Sequence, residues 1–132
     1  MLAKIRAERL TREVMSTALE EYNITLMEWL AVGALYRNEK SLTSSQLAKE
    51  LDVSKSYITK LTTQLHNKKL IDYTVSPEDK RVTFISLSDG GQKLISDSEP
   101  IVRRALAEWL KPIDREHVEI YMQVIVQVAK NL

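Results

Sequence analysis

The sequence predicts a mainly α fold carrying one small β-hairpin, and three observations lead there. Most of the chain is built from capped segments whose apolar residues recur at helical spacing. Two such segments are separated only by Asp52, Val53 and Ser54, so the helices they form must cross steeply. Two runs rich in β-branched and aromatic residues follow, from Ile71 and from Arg81, with a charged turn between them. Together Leu42 to Leu87 has the outline of a winged helix-turn-helix. A length of 132 residues suits one domain. Residues 24–90 form its winged part, and 1–22 and 91–132 supply flanking helices.

Taken in order, Leu2, Ile5, Leu10, Val14, Met15 and Leu19 mark an amphipathic helix running to about Tyr22. Thr25 with Glu28 reads as a capping box and Ile24 with Trp29 as its hydrophobic staple, opening a helix from Leu26 to Tyr36. That helix is apolar on most sides and belongs in the core. The same grammar recurs at Thr43 and Gln46, with Leu42 stapled to Leu47, and the helix ends near Leu51. Asp52 suits the left-handed corner, and Ser54 caps the next helix.

In that next helix Ile58, Leu61 and Leu65 share the face that packs down. Ser56, Thr59, Lys60, Thr63 and Asn67 occupy the opposite face, with Lys55 and Tyr57 at its start. Net charge is only +1, yet Val53 to Ile71 holds Lys55, Lys60, Lys68 and Lys69 with no Asp or Glu. Hydroxyls, a phenol and cations at a helix N-terminus, free of carboxylates, are what reading base edges beside phosphate requires. A solvated lysine-rich face is the bland alternative; the agreement of face and helix-turn-helix spacing favours the first reading.

Ile71, Tyr73 and Val75 alternate with Asp72 and Thr74 as a half-buried strand, Ser76 to Lys80 turns, and Arg81 to Leu87 returns antiparallel. A cation at such a tip can enter a minor groove, with Asp79 holding the Arg81 guanidinium. Ser88 caps a long helix to about Leu110, in which Gly90 and Gly91 suggest close backbone packing and Pro100 a kink. Ile101, Val102, Ala105, Leu106, Trp109 and Leu110 form its stripe. Asp114 caps a last helix marked by Val118, Tyr121, Met122, Ile125, Val128 and Leu132, with Ile120, Val124 and Val126 off the stripe. A helix apolar beyond one face needs a second surface, which points to a subunit interface.

The wing and its sequel, SPEDKRVTFISLSDGGQKL, resemble the signature of the multiple antibiotic resistance regulator (MarR) family, with Asp79, Arg81, Leu87, Ser88 and Gly91 at the matching positions. ITLMEWLAVGAL is similar to that family's second helix and LTSSQLAKELDVSKSYITKLTTQL to its helix-turn-helix. The resemblance implies a homodimer whose terminal helices interlock and whose two wings read pseudo-palindromic double-stranded DNA. It assigns Lys55, Ser56, Tyr57, Thr59 and Lys60 to the major groove, Arg81 to the minor groove with Asp79 orienting it, and, more loosely, Ser44, Ser45 and Lys80 to phosphate. It also implies a repressor answering to a small phenolic or other aromatic effector, for which Tyr22, Trp29 and Trp109 are candidate walls, although each suits a plain core role. Lys69 stands where the family's usual glycine would provide a left-handed helix stop.

Other chemistry is not indicated. Cysteine is absent, excluding disulfides and thiolate metal sites. His66 and His117 lie far apart without metal-ligand spacing, and no glycine-rich phosphate loop occurs, so neither metal, cofactor nor enzymatic activity is expected. No apolar run approaches the ~20 residues that cross a bilayer, and the start lacks an apolar leader, so a cytoplasmic protein is expected. The competing functional reading is a winged-helix protein-interaction module that binds no DNA.

Overall fold

The computed structural model describes residues 1–38 and 41–130. These form α1 (Leu2–Leu19), one 3₁₀ turn (Glu20–Tyr22), α2 (Leu26–Arg37), β1 (Leu42–Thr43), α3 (Ser44–Leu51), α4 (Lys55–Asn67), β2 (Ile71–Val75), β3 (Thr83–Leu87), α5 (Asp89–Leu110) and α6 (Arg115–Lys130). The mainly α architecture with a small antiparallel wing is as the sequence indicates. Leu132, placed in the apolar pattern of the last helix, lies outside the described residues.

Capping explains where the helices begin. Thr43 Oγ1 accepts from the Gln46 amide at 3.2 Å while Gln46 Oε1 accepts from the Thr43 amide at 2.9 Å, a complete capping box. Ser54 Oγ accepts from the Tyr57 amide at 3.2 Å, and Ser88 Oγ from the Gly91 amide at 3.1 Å. The box expected at Thr25 is only half formed: Thr25 Oγ1 accepts from the Glu28 amide at 3.2 Å, but the Glu28 carboxylate is buried and paired with Lys68. Charge pairing across two helices outcompetes a local bond to the cap amide.

Capping also explains where they stop. Asp52 takes φ 54°, and the Asp52 and Val53 amides close α3 onto the Lys49 and Ala48 carbonyls. The same double closure ends α4, with the Lys69 and Leu70 amides bonded to the His66 and Leu65 carbonyls at 2.9 and 3.0 Å. Lys69 adopts φ 60° there, so a lysine occupies the left-handed position at which a glycine costs nothing. That conformation costs an L-residue ~1–2 kcal/mol, partly offset by the unfolded-state entropy a glycine would add. Lys69→Gly should therefore stabilise the fold by about 0.5–1 kcal/mol, seen as a higher urea midpoint at unchanged slope; an unchanged or lower midpoint would mean the lysine is unstrained.

The sheet corrects the expected two-stranded hairpin. It has three strands in the order β1-β3-β2, because Leu42 and Thr43 pair with Ile85 and Phe84 on the free edge of β3. Two residues are too few for an alternating pattern to announce a strand. The expected half-burial of β2 also fails beyond Ile71: Tyr73 is 41% and Val75 54% exposed. As an edge strand, β2 meets only the end of α4 past its first residue, where Tyr73 leans on the His66 ring, centroids 4.9 Å apart.

The core joins Leu19, Ala31, Val32, Leu47, Ile58, Leu65, Ile71, Ile85 and Val102. It thus seats α4 through Ile58, Leu61 and Leu65 as their spacing requires, and α1 packs along α5. α5 runs unbroken through Pro100. By contrast, α6 takes no part in these packings and buries none of its residues. Ile120, Tyr121, Met122, Val124, Ile125, Val126 and Val128 all remain exposed, as do Leu2 and Ile5 at the other end of the chain.

Candidate nucleic-acid interface

The first turns of α4 present Lys55, Ser56, Tyr57, Thr59 and Lys60 together on an exposed surface, fixed from beneath by Ile58 and Leu61. The hydroxyls are not equivalent. Thr59 Oγ1 donates to the Lys55 carbonyl at 2.9 Å and Thr63 Oγ1 to the Thr59 carbonyl at 2.8 Å, so these threonines offer outward methyls and acceptor lone pairs. Ser56 Oγ lies 3.2 Å from Ser54 Oγ. Ser54 accepts as the helix cap and keeps its own O–H for Ser56, so Ser56 joins the phenol of Tyr57 and the ammoniums of Lys55 and Lys60 as groups able to donate outward.

The wing tip is a preorganised cation. Asp79 Oδ1 accepts from the Arg81 backbone amide at 3.0 Å and from Arg81 Nε at 3.1 Å, while Oδ2 accepts from Nη2 at 3.2 Å. The carboxylate therefore fixes both the turn and the direction of a side chain that is itself 90% exposed. Ser76 braces the loop from its base, accepting from the Glu78 and Asp79 amides at 3.3 and 3.4 Å. The Arg81 bonds hold the Asp79 carboxyl below its ordinary value of 3.8. A folded-state value below the unfolded one means the pair contributes at pH above the unfolded value and is lost as pH falls through the lower one.

The added strand β1 has a consequence at this site. It carries Thr43 to the edge of β3, so Ser44 and Ser45, at the start of α3, share a groove of about 410 Å³ with Arg81, Val82 and Thr83. Ser44, Ser45 and Arg81 are thereby neighbours, although nothing in their sequence separation joins them. Thr43, Val82 and Thr83 were not anticipated as part of this surface; the unseen β1 pairing is the reason. Lys80 sits exposed beside Arg81.

The basic stripe is divided by the fold. Lys55 and Lys60 stay outward on α4, whereas the Lys68 ammonium turns inward to Glu28 Oε2 at 2.8 Å and to the Asn23 carbonyl at 2.7 Å. Charge spacing alone could not separate these lysines, because it carries no information about α2.

The aromatic candidates do not form one wall. Tyr22 Oη donates to the Asp97 carbonyl at 3.3 Å and Trp29 Nε1 to Ser98 Oγ at 2.9 Å, so both anchor their elements to the middle of α5. Trp109 is on the same helix about three turns further on. None of the three lines the groove of about 460 Å³ between the end of α1 and α5, which is formed by Thr17, Ala18, Glu20, Glu21, Ile101, Arg104, Ala105 and Glu108.

A sequence model of the MarR family matches residues 22–82, the span from the 3₁₀ turn through the helix-turn-helix to the wing tip. Over that span this chain is similar to the MarR family. Solved MarR-family structures extend the likeness to the whole fold. A mutant of MarR from E. coli in complex with operator DNA is 19% identical with a TM-score of 0.86, covering 96% of this chain and 90% of that one. The MepR–DNA complex of S. aureus is 23% identical with a TM-score of 0.83, covering 99% and 96%. A MarR-family transcriptional regulator from Rhodococcus sp. RHA1 is 16% identical with a TM-score of 0.88, covering 96% and 89%. At these identities the likeness establishes the MarR-type winged fold, flanking helices included. No described helix is long and apolar enough to cross a membrane.

Proposed function

We propose that this chain is a sequence-specific, double-stranded-DNA-binding transcription regulator acting as a homodimer. The observation that carries the reading is that one chain presents both an acid-free, exposed first half of α4 and an Arg81 wing whose direction Asp79 holds. Lys55, Ser56, Tyr57, Thr59 and Lys60 enter the major groove, Arg81 reaches the adjacent minor groove, and Ser44, Ser45 and Lys80 meet phosphate at the margin. The DNA-bound MarR and MepR structures support this use of the fold. Two such units on one dimer read half-sites about one helical turn apart.

Selection of bound duplexes from a random pool, followed by titration across salt, tests the reading. A short pseudo-palindrome should emerge with a dissociation constant of about 10⁻⁸ M or tighter and a steep salt dependence. Arg81→Ala should weaken binding about tenfold or more, and Lys60→Ala should lower the salt slope by about 1 if it meets phosphate. Unchanged affinity in both variants removes this mechanism. No enrichment at low salt, with a stable protein partner instead, supports the interaction-module reading. The finer reading, a repressor released by a small aromatic ligand, predicts that a phenolic compound dissociates the selected duplex.

A further inference from the structure

Among the described residues Glu28 is the only charged residue that is buried. Its side chain is 4% exposed, and its Oε2 lies 2.8 Å from Lys68 Nζ. That approach is one of charges without hydrogen-bond alignment, for Oε2 has no directed donor. The directed bond of the ammonium goes to the Asn23 carbonyl, 2.7 Å away. Asn23 is left-handed at φ 51° and closes the 3₁₀ turn between α1 and α2. One ammonium therefore ties three places together: the end of the α1 segment, the first turn of α2 and the cap of α4.

Helix ends make this buried pair tolerable. Glu28 sits in the first turn of α2, where the dipole favours an anion, and Lys68 caps α4, where the dipole favours a cation. Both charges are thus stabilised in place before their mutual attraction is counted. Moving the ammonium outward to a phosphate would leave Glu28 buried and unpaired, which is costly. Lys60, the nearest outward lysine of the same helix, lies about 12 Å away along the axis, so the reading end of α4 and the clamped end are distinct.

We propose that Lys68 is a positioning residue, clamped by Glu28, which sets the angle of α4 and does not itself contact DNA. The inference rests on the DNA-binding reading above. Near its start α4 is pinned by the Asp52 corner and by Ile58; its far end passes into the left-handed Lys69 and on to β2. That far end is also held by the buried Leu65 and by the bonds of Ser88 to the Lys69 and Leu70 carbonyls, so releasing the clamp tilts α4 and this junction together, shifting Lys55 to Lys60 in the groove and Arg81 on the wing at once.

The test titrates the selected duplex by fluorescence anisotropy at several salt concentrations, well below the melting temperature of each variant. Glu28→Gln and Lys68→Gln should each weaken binding about tenfold with the salt slope unchanged, and the double variant should be no weaker than either. Lys68→Arg, which keeps the charge, should recover most of the affinity. A Lys68→Gln loss accompanied by a slope lower by about 1, with Glu28→Gln binding normally, would make Lys68 a phosphate contact and overturn the proposal. Amide exchange on the free protein gives a readout without DNA: protection at the C-terminal turn of α4 and the start of β2 should fall in both single variants, and unaltered protection overturns the clamp. A parent chain that enriches no duplex overturns the DNA-binding reading instead, while the exchange result still decides whether the clamp exists.

Discussion

Ile125→Asp should turn the protein into a monomer and lower its affinity for a full pseudo-palindrome by about 10²–10⁴-fold, while leaving the protomer folded. Ile125 stands on α6, which buries none of its residues and has no extensive packing on another element. An aspartate there replaces an already exposed side chain, so the protomer loses no buried contact. In the proposed dimer, with α6 in the interface, the same position would be covered, and an unpaired carboxylate in an apolar interface is strongly unfavourable. The affinity loss follows from valence rather than contact: with both half-sites held by one dimer, the second binding event is intramolecular, and a monomer forfeits that effective concentration. Sedimentation velocity and titration of full and half sites check both parts. A variant that remains dimeric, or a parent that is monomeric at micromolar concentration, would show that α6 does not form the interface.

How much of this was legible in the sequence depended on whether the signal was local. Caps and corners were: Thr43 with Gln46, Ser54, Ser88 and Asp52 act over three or four residues, and each does what its spacing implies. The face of α4 was legible for the same reason, since helical geometry alone separates Ile58, Leu61 and Leu65 from Ser56, Thr59 and Lys60. The Asp79–Arg81 pair, two residues apart, was equally readable. What escaped needed a distant partner. Glu28 satisfied the spacing of a capping box yet reaches across to Lys68, and β1 is a strand only because β3 offers it an edge. Tyr73 kept the alternation of a half-buried strand, yet only the His66 ring at the end of α4 leans on it and it stays exposed. In the site, this is why Ser44 and Ser45 were separately named but their grouping with Arg81 was not foreseen.

Gly91→Ala should destabilise the protein by about 3 kcal/mol, lowering the melting temperature by roughly 10 °C, although alanine is the better helix former. Gly91 lies in the first turn of α5, and a Cβ there would be driven into the backbone carbonyl of Leu70. That carbonyl has little freedom to retreat. Its oxygen accepts from the Ser88 amide at 3.1 Å, and the amide of the same residue closes α4 onto the Leu65 carbonyl at 3.0 Å. Ser88 Oγ adds a bond to the Lys69 carbonyl at 2.7 Å, so the left-handed stop of α4, the entry to β2 and the cap of α5 form one locked junction. Relief of the clash must break part of it, exposing amides that have no other partner. Gly33→Ala is the internal comparison. There the new methyl meets only the end of the Arg37 side chain at 3.4 Å and Ile95 Cδ1 at 3.9 Å, within the middle of α2, so helix propensity should leave stability unchanged or raise it by up to ~1 kcal/mol. Thermal and urea denaturation of the two variants separate the causes: equal effects would attribute the Gly91 requirement to something other than the Leu70 carbonyl. Because the junction joins the recognition helix to the wing, Gly91→Ala should also weaken duplex binding at temperatures where the chain is still folded, with Arg81 the contact most displaced.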